Sequence, residues 1–181
     1  MAATSHAVRP GSLTRADAEA AAGTVVDPEM PMLTLVDLGV LREVTVEEAP
    51  AGAAVTVALT PTYSGCPAMA TMRDDLVRAL TEVGFDEVRV QVRLSPPWTS
   101  DWITAAGREA LRAHRLSPPG PAGPRPDGPV PLRLTATRRR LVCPRCGAEE
   151  TELTSEYGPT ACTALYRCTV CREPFEHLKE I

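Results

Sequence analysis

A proline-rich segment, residues 117–131, separates the chain into two parts. The segment holds seven prolines and three glycines and almost no apolar side chains. Proline fixes φ and removes the backbone N–H donor, so a helix or a central strand cannot pass through such a stretch. We therefore expect a semi-extended linker between a first domain, residues 1–116, and a second domain, residues 132–181.

The second domain carries two CxxC pairs separated by 21 residues, Cys143/Cys146 and Cys168/Cys171. A module of about 50 residues with so few apolar side chains needs a bound metal or a cross-link to stabilise its fold. Two CxxC turns can present four thiolates to one metal ion, and a site closed by four sulfurs is typical of structural zinc. A rubredoxin-like iron, a [2Fe–2S] cluster, two disulfides and a redox CxxC are alternative interpretations. We predict a small all-β zinc ribbon with these four cysteines as ligands.

Other features of the second domain have plainer interpretations. Gly147 follows the first CxxC pair and permits a positive φ, whereas Arg172 occupies the corresponding position after the second pair. Cys162 belongs to neither CxxC pair, which favours its interpretation as a small buried residue over that as a metal ligand. His177 is not needed by a site with four sulfurs. The basic run 138–140 lies near several glutamates, which favours a solvated strand edge or an acidic partner over nucleic acid.

The first domain has the pattern of an α/β unit. Two alternating segments around a Pro/Gly turn predict a hairpin, and an apolar stripe at spacings of three and four predicts a helix. We expect Thr14 or Ser12 to cap a short first helix, Gly84 to end the helix with the apolar stripe, and Ser100 to cap the last one. The predicted helices are 13–22, 69–83 and 101–114, and the predicted strands are 41–47, 53–60 and 88–94. The fold class is therefore α/β (α+β), a small sheet with helices on one face.

Cys66 occupies the turn between the second predicted strand and the helix that follows it. Pro67 suits the first helical position, and Gly65 permits a tight turn and the close approach of a ligand. A thiol at a helix N-terminus faces free N–H groups, so we expect its thiolate to be favoured. The plainer alternative is a small buried cysteine in a turn.

Asp27 and Glu29 form an acidic pair within the sequence Asp-Pro-Glu-Met-Pro at 27–31. The two prolines exclude a helix and keep the backbone extended or turned, which brings the carboxylates close together. Three interpretations stay open: solvated loop charges, which the spacing alone favours, an anion that caps a helix, or part of a site.

Composition argues against several classes of protein. The net charge of −4 is unlike that of a general nucleic-acid binder. No run of about 18 apolar residues is present to cross a membrane, and the first residues lack the pattern of a secretory signal. We expect a cytoplasmic location and cysteines that are reduced or metal-bound. The Glu-x-x-His pairs of a diiron bundle and a Gly-rich dinucleotide fingerprint are also missing.

Motifs from both domains occur in a recognisable order. They are Asp27-Pro28-Glu29-x-Pro31, Val36-Asp37-Leu38-Gly39, Pro61 to Pro67, Trp98 to Ile103, the two CxxC pairs, Thr160-Ala161-Cys162 and Glu173-Pro174-Phe175. The first domain resembles the iron–sulfur assembly domain shared by SufT-type proteins and the eukaryotic cytosolic iron–sulfur targeting adaptors. The whole arrangement resembles the PaaD family, whose members are encoded with the phenylacetyl-CoA epoxidase (ring 1,2-epoxidase) of aerobic phenylacetate breakdown.

The resemblance implies maturation rather than catalysis. Its members are expected to deliver an iron–sulfur cluster or insert it into the reductase component, with the reductase and oxygenase components as partners. Cys66 matches the family's reactive cysteine, and Asp27 and Glu29 match its acidic loop, so transient iron or a cluster would join zinc as bound metal. One alternative is a structural or docking subunit of the oxygenase complex. Another is a thiol enzyme, for which no base can be assigned beside Cys66.

Overall fold

The computed structural model describes residues 13–49, 52–122 and 141–180. Its helices are α1 (Arg15–Ala22), α2 (Met69–Val83) and α3 (Ala105–Ala113), with a 3-10 turn at Ser100–Trp102. Its strands are β1 (Leu41–Ala49), β2 (Gly52–Leu59), β3 (Glu87–Val92), β4 (Thr151–Ser155), β5 (Thr163–Cys168) and β6 (Pro174–Leu178). The predicted fold class is confirmed. The hairpin tip (50–51), most of the predicted linker (123–131) and the basic run 138–140 lie outside the described residues.

The first sheet has the order β1-β2-β3, with β1 antiparallel and β3 parallel to the central strand β2. Val55, Val57 and Leu59 lie on one face of β2 and are fully buried, because that face packs in the same core as helix α2. Helix α2 provides the crossover that a parallel β2–β3 pair requires. Of its predicted apolar stripe, Met72, Leu76 and Leu80 are buried in the same core and Met69 packs against it. Val83, the last predicted member, is 42% exposed at the end of the helix.

The start of α1 and the end of α2 lie at the residues that the sequence predicts. The Thr14 hydroxyl accepts the N–H of Asp17, and the Asp17 carboxylate accepts the N–H of Thr14, which forms a capping box at the start of α1. Gly84 ends α2 with a φ of 116°, a conformation that favours glycine. These ends depend on residues only a few positions apart, which is why the sequence identifies them.

Two predicted helix starts are wrong. Helix α2 begins at Met69 with Ala68 as its N-cap, so Pro67 lies before the helix and not at its first position. Ser100 does not cap α3, because it lies fully buried in the preceding 3-10 turn. The cap of α3 is Thr104, whose hydroxyl accepts the N–H of Gly107 at 2.9 Å.

The ribbon is joined to the first sheet and helices by backbone hydrogen bonds. Ser117, at the start of the predicted linker, donates to the Glu176 carbonyl at 2.8 Å and accepts the N–H of Leu178 at 3.0 Å. Leu178 and Cys162 belong to the same apolar cluster as the core of the first domain. A second, smaller cluster around Tyr166 and the cysteines lies within the ribbon. The side chains of the ribbon therefore contribute to both cores.

None of the helices in the described part of the chain has the length and apolar character needed to span a bilayer.

Candidate functional site

The four cysteines of the two CxxC pairs meet at one point of the ribbon. Their Sγ atoms all lie within 4.8 Å of one another. The Cys143–Cys171 distance is 3.8 Å and the Cys146–Cys168 distance is 3.6 Å. A tetrahedral metal with bonds of about 2.3 Å to sulfur has edges of about 3.8 Å. The spacing of these four sulfurs, called the quartet below, fits a zinc-sized ion.

The backbone after each CxxC pair turns in the left-handed region. Gly147 has a φ of 76°, as predicted, and its N–H donates to the Cys143 carbonyl at 3.0 Å. Arg172 has a φ of 64°, which a side chain makes unfavourable. The two turns therefore have the same geometry although only the first has the residue suited to it.

Backbone N–H groups and neighbouring sulfurs shift the pKa of two of the quartet thiols, Cys168 and Cys171. The N–H of Cys171 is the main cause that lowers the pKa of Cys168 to about 7. The N–H of Glu173 favours the Cys171 thiolate, but burial and the three neighbouring sulfurs together raise the pKa of Cys171 to about 12. Four thiolates this close repel one another, and a bound dication removes that repulsion.

Cys66 lies apart from the quartet, half-buried in the turn before α2 and packed against the core of the first domain. Burial raises the pKa of Cys66, and the N–H of Ala68 offsets this only in part. The charges of Glu29, Asp27 and Cys162 raise it further. The expected preference for thiolate is therefore wrong, because burial and acidic neighbours outweigh the helix N-terminus.

Asp27 is buried, with only 3% of its surface exposed. Its Oδ1 accepts the N–H groups of Glu29 at 2.7 Å and of Met30 at 2.9 Å, which fixes the acidic loop in a tight turn. Burial raises the pKa of Asp27 although both hydrogen bonds lower it. The favoured interpretation of this pair as solvated loop charges is wrong for Asp27, because the loop folds over its carboxylate.

Glu29 lies on the same loop and faces the same region. Burial raises the pKa of Glu29, and the neighbouring Asp27 charge raises it further. Both carboxylates also influence the pKa of Cys66 and of Cys162. The charges of Asp27 and Glu29 thus act on Cys66, the residue with which the sequence grouped them, and the three do not form a metal-sized cluster among the described residues.

The sequence did not identify two further members of this region. Tyr63 lies near it, since burial and the charges of Cys66, Glu29 and Cys162 raise the pKa of its hydroxyl. Cys162 comes from the ribbon, is 4% exposed, and packs in the core of the first domain. The prediction of a buried cysteine is correct, but its packing in the core of the first domain and its effect on the pKa of Cys66 were not foreseen. The sequence offered one signal of this, because Cys162 is a cysteine that belongs to neither CxxC pair.

Comparisons with known proteins match two family models to successive parts of the chain. A family model described as iron–sulfur cluster assembly protein matches residues 15–92, and one described as PaaD zinc beta ribbon domain matches residues 127–179. A solved structure of a domain of unknown function (DUF59) from Bacillus anthracis is 28% identical with a TM-score of 0.49, over 54% of this chain and 90% of that one.

Two curated relatives are similar in sequence. An Escherichia coli (strain K12) protein, named as the D component of 1,2-phenylacetyl-CoA epoxidase, is 44% identical over 155 residues, 86% of each chain. The Fe-S protein maturation auxiliary factor SufT of Staphylococcus aureus (strain USA300) is 32% identical over 88 residues, 48% of this chain and 96% of that protein. With an assembly domain followed by this ribbon, and a relative matched over most of both lengths, the chain belongs to the PaaD family.

Proposed function

We propose that this chain is a non-catalytic accessory protein of a phenylacetyl-CoA epoxidase system. It assembles an iron–sulfur cluster or inserts it into the reductase component, in the cytoplasm. Cys66, Asp27 and Glu29 handle the iron or the cluster, which is cargo. The quartet holds zinc, which keeps the ribbon folded.

The observation that carries the proposal is a half-buried Cys66 on which the charges of two carboxylates act, in a domain of the iron–sulfur assembly family. Cys66 is half-buried, so a client can reach its sulfur, while Asp27 is held in place by two backbone hydrogen bonds. Thiolate and carboxylate ligands together suit iron. The epoxidase name of the Escherichia coli relative supports the choice of client.

The two groups of sulfurs differ in a way that suits different tasks. The quartet offers four protein ligands and leaves no position for an exchanging partner, as in structural zinc sites. A single half-buried thiol with nearby carboxylates leaves most of a metal's coordination positions open. Cargo must be released, so the region of Cys66 is the better candidate for transfer.

The test is the cluster content of the reductase made in cells together with this chain. We expect the Cys66→Ser variant to lower the iron, the sulfide and the visible absorbance of the purified reductase several-fold. Ser64→Ala is the matched control, since Ser64 is exposed in the same loop. Full cluster content with Cys66→Ser would reject the role of Cys66, and full content without this chain would reject the proposed function.

A docking subunit of the oxygenase complex is the second candidate. The observation that favours it is the exposure of apolar side chains on the ribbon, among them Tyr157 and Val170. Exposed aromatic and apolar groups are common where proteins bind partners. Co-purification with the oxygenase subunits at a fixed ratio, together with full reductase clusters in the Cys66→Ser strain, would favour docking.

A further inference from the structure

Strand β3 forms one edge of the first sheet, and its outer side has no partner strand among the described residues. The N–H of Arg93, one residue beyond the strand, donates to the Leu59 carbonyl of β2 at 2.8 Å. The backbone groups of a strand point alternately to its two sides, so the odd-numbered residues of β3 bond to β2. The N–H and C=O groups of Val88, Val90 and Val92 therefore point to the open edge.

The side chains of β3 do not protect this edge against pairing. Val88, Val90 and Val92 continue the core-side face of β2, and Val92 is 48% exposed. The β2–β3 register runs without a shift, so no bulge bends the edge away. The opposite edge strand, β1, does have a register shift near its start. Free edges are usually blocked by bulges, prolines or charges that point to the core side, and β3 has none of these.

The sequence of β3 is complementary to itself when two copies run antiparallel with Val90 opposite Val90. Val88 of each copy then lies opposite Val92 of the other. The three valine pairs are hydrogen-bonded pairs, which together provide about six N–H···O bonds. Their side chains form one apolar row that continues the core-side face of both sheets.

Charges on the other face of the strand select this register. Glu87 of each copy lies opposite Arg93 of the other, in a non-hydrogen-bonded pair whose side chains are close. A shift of two residues in one direction places Arg89 opposite Arg89, and a shift in the other direction places Arg89 opposite Arg93. Both shifts bring like charges together. A shift of one residue would place the valines opposite polar residues.

Glu87 and Arg93 each have a partner within the chain. The Glu87 carboxylate accepts a hydrogen bond from Arg89 at 2.6 Å, and Arg93 forms an ion pair with Glu43. These four side chains are between 44% and 53% exposed, and ion pairs this exposed are weak. A carboxylate and a guanidinium can each hold a second partner. Contact between the copies therefore completes a row of alternating charges without breaking either pair.

We propose that β3 is a homodimer interface, at which two copies pair their β3 strands antiparallel and join their three-stranded sheets into one. The Cys66 turn follows β2, and the two β2 strands run in opposite directions in such a dimer. The two Cys66 turns then lie at opposite ends of the joined sheet, and each copy keeps its own candidate site. The interface is small, so the dimer is weak. The inference does not depend on the proposed function.

The test is sedimentation velocity of the full chain, reduced and zinc-loaded, from about 5 to about 500 µM, where a small interface should assemble. We expect the wild type to change from monomer to dimer over this range. Glu87→Arg and Arg93→Glu each turn two attractive pairs into two like-charge pairs, which should weaken the dimer about tenfold or more. The double variant restores opposite charges, so its dimer affinity should return to within about threefold of the wild type.

Two controls separate the interface from damage to the fold. Glu47→Arg makes the same charge change at an exposed site on β1, the opposite edge of the sheet, and should leave the dimer unchanged. Amide hydrogen exchange followed by NMR should slow at Val90 and Val92 as the concentration rises. It should stay constant at Arg89 and Gln91, whose N–H groups already bond to β2. The circular dichroism spectrum and the zinc content should be unchanged in all variants.

Each result decides on the inference. Weakening by both single substitutions, with recovery in the double variant, supports the interface. A wild type that stays monomeric over the whole range overturns it. A dimer that neither substitution weakens, that Glu47→Arg weakens instead, or that the double variant does not restore also overturns it. The reductase experiment tests the proposed function separately, whichever result is found.

Discussion

The attachment of the ribbon to the first domain can be tested with Leu178. This side chain belongs to β6 of the ribbon, is 1% exposed, and packs in the core of the first domain. Leu178→Ala removes three carbon groups, which costs about 2.4 kcal/mol at about 0.8 kcal/mol for each. The residual cavity adds to this cost, so the total should be about 3 kcal/mol, inside the usual range for buried leucines.

The assay is urea unfolding of the reduced, zinc-loaded chain followed by tryptophan fluorescence. Both tryptophans, Trp98 and Trp102, lie in the first domain, so the signal reports on that domain although the substitution is in the ribbon. Leu153→Ala is the matched control, because Leu153 lies on β4 and is 44% exposed. It should change the free energy of unfolding by less than about 0.5 kcal/mol.

The account predicts a lower fluorescence midpoint for Leu178→Ala than for the wild type or Leu153→Ala. A fluorescence transition that stays at the wild-type midpoint would show that the first domain does not depend on this contact. In that case Leu178 would not be the contact that holds Cys162 in the core of the first domain.

Four further substitutions have expected outcomes. Arg172→Gly should stabilise the zinc-loaded ribbon by about 0.5 kcal/mol in chelator competition, because the backbone strain that glycine removes at a φ of 64° exceeds the unfolded-state entropy that it adds. Gly147→Ala, the reverse change at the first turn, should destabilise the ribbon by about 1 kcal/mol. A loss of stability with Arg172→Gly would contradict this explanation. Gly39→Ala should lower the free energy of unfolding in urea by about 2 kcal/mol or more, because Gly39 has a φ of 71° and the new Cβ would lie 2.6 Å from the Trp102 carbonyl oxygen. A loss below about 0.5 kcal/mol would contradict this steric explanation. Burial alone would raise the pKa of Asp37, but hydrogen bonds from Thr34 and Thr104 lower it below the ordinary value of 3.8. The ionised Asp37 carboxylate therefore stabilises the fold above that pH, and this stabilisation is lost as the pH falls through the folded-state pKa. The advantage of the wild type over Asp37→Asn in urea unfolding should therefore be largest near neutral pH and shrink in acid; an advantage that grows in acid would reverse the assignment.

The sequence predicts those features that depend on nearby residues. The centre of the apolar stripe of α2, the cap at Thr14 and the turn at Gly84 are encoded within a few positions, and the structure has them. The quartet is also local in origin, because each CxxC turn fixes two sulfurs and only the pairing of the turns is long-range. Such features need no knowledge of how distant segments pack.

The environment of Cys66 could not be predicted in the same way. Its raised pKa results from burial and from charges on Glu29, Asp27 and Cys162, which are far apart in sequence. The burial of Asp27 depends on the turn in which its carboxylate accepts two N–H groups. The position of Cys162 depends on the packing of the ribbon onto the first domain, where Ser117 pairs with β6. None of these follows from spacing.

The central claim is that the quartet and Cys66 hold different metals for different purposes. Metal analysis of the wild type and of Cys66→Ser, both purified without oxygen from iron-supplied cells, tests it directly. The account predicts one zinc per chain in both proteins and labile iron in the wild type alone. Zinc that disappears with Cys66→Ser, or iron that stays, would contradict it.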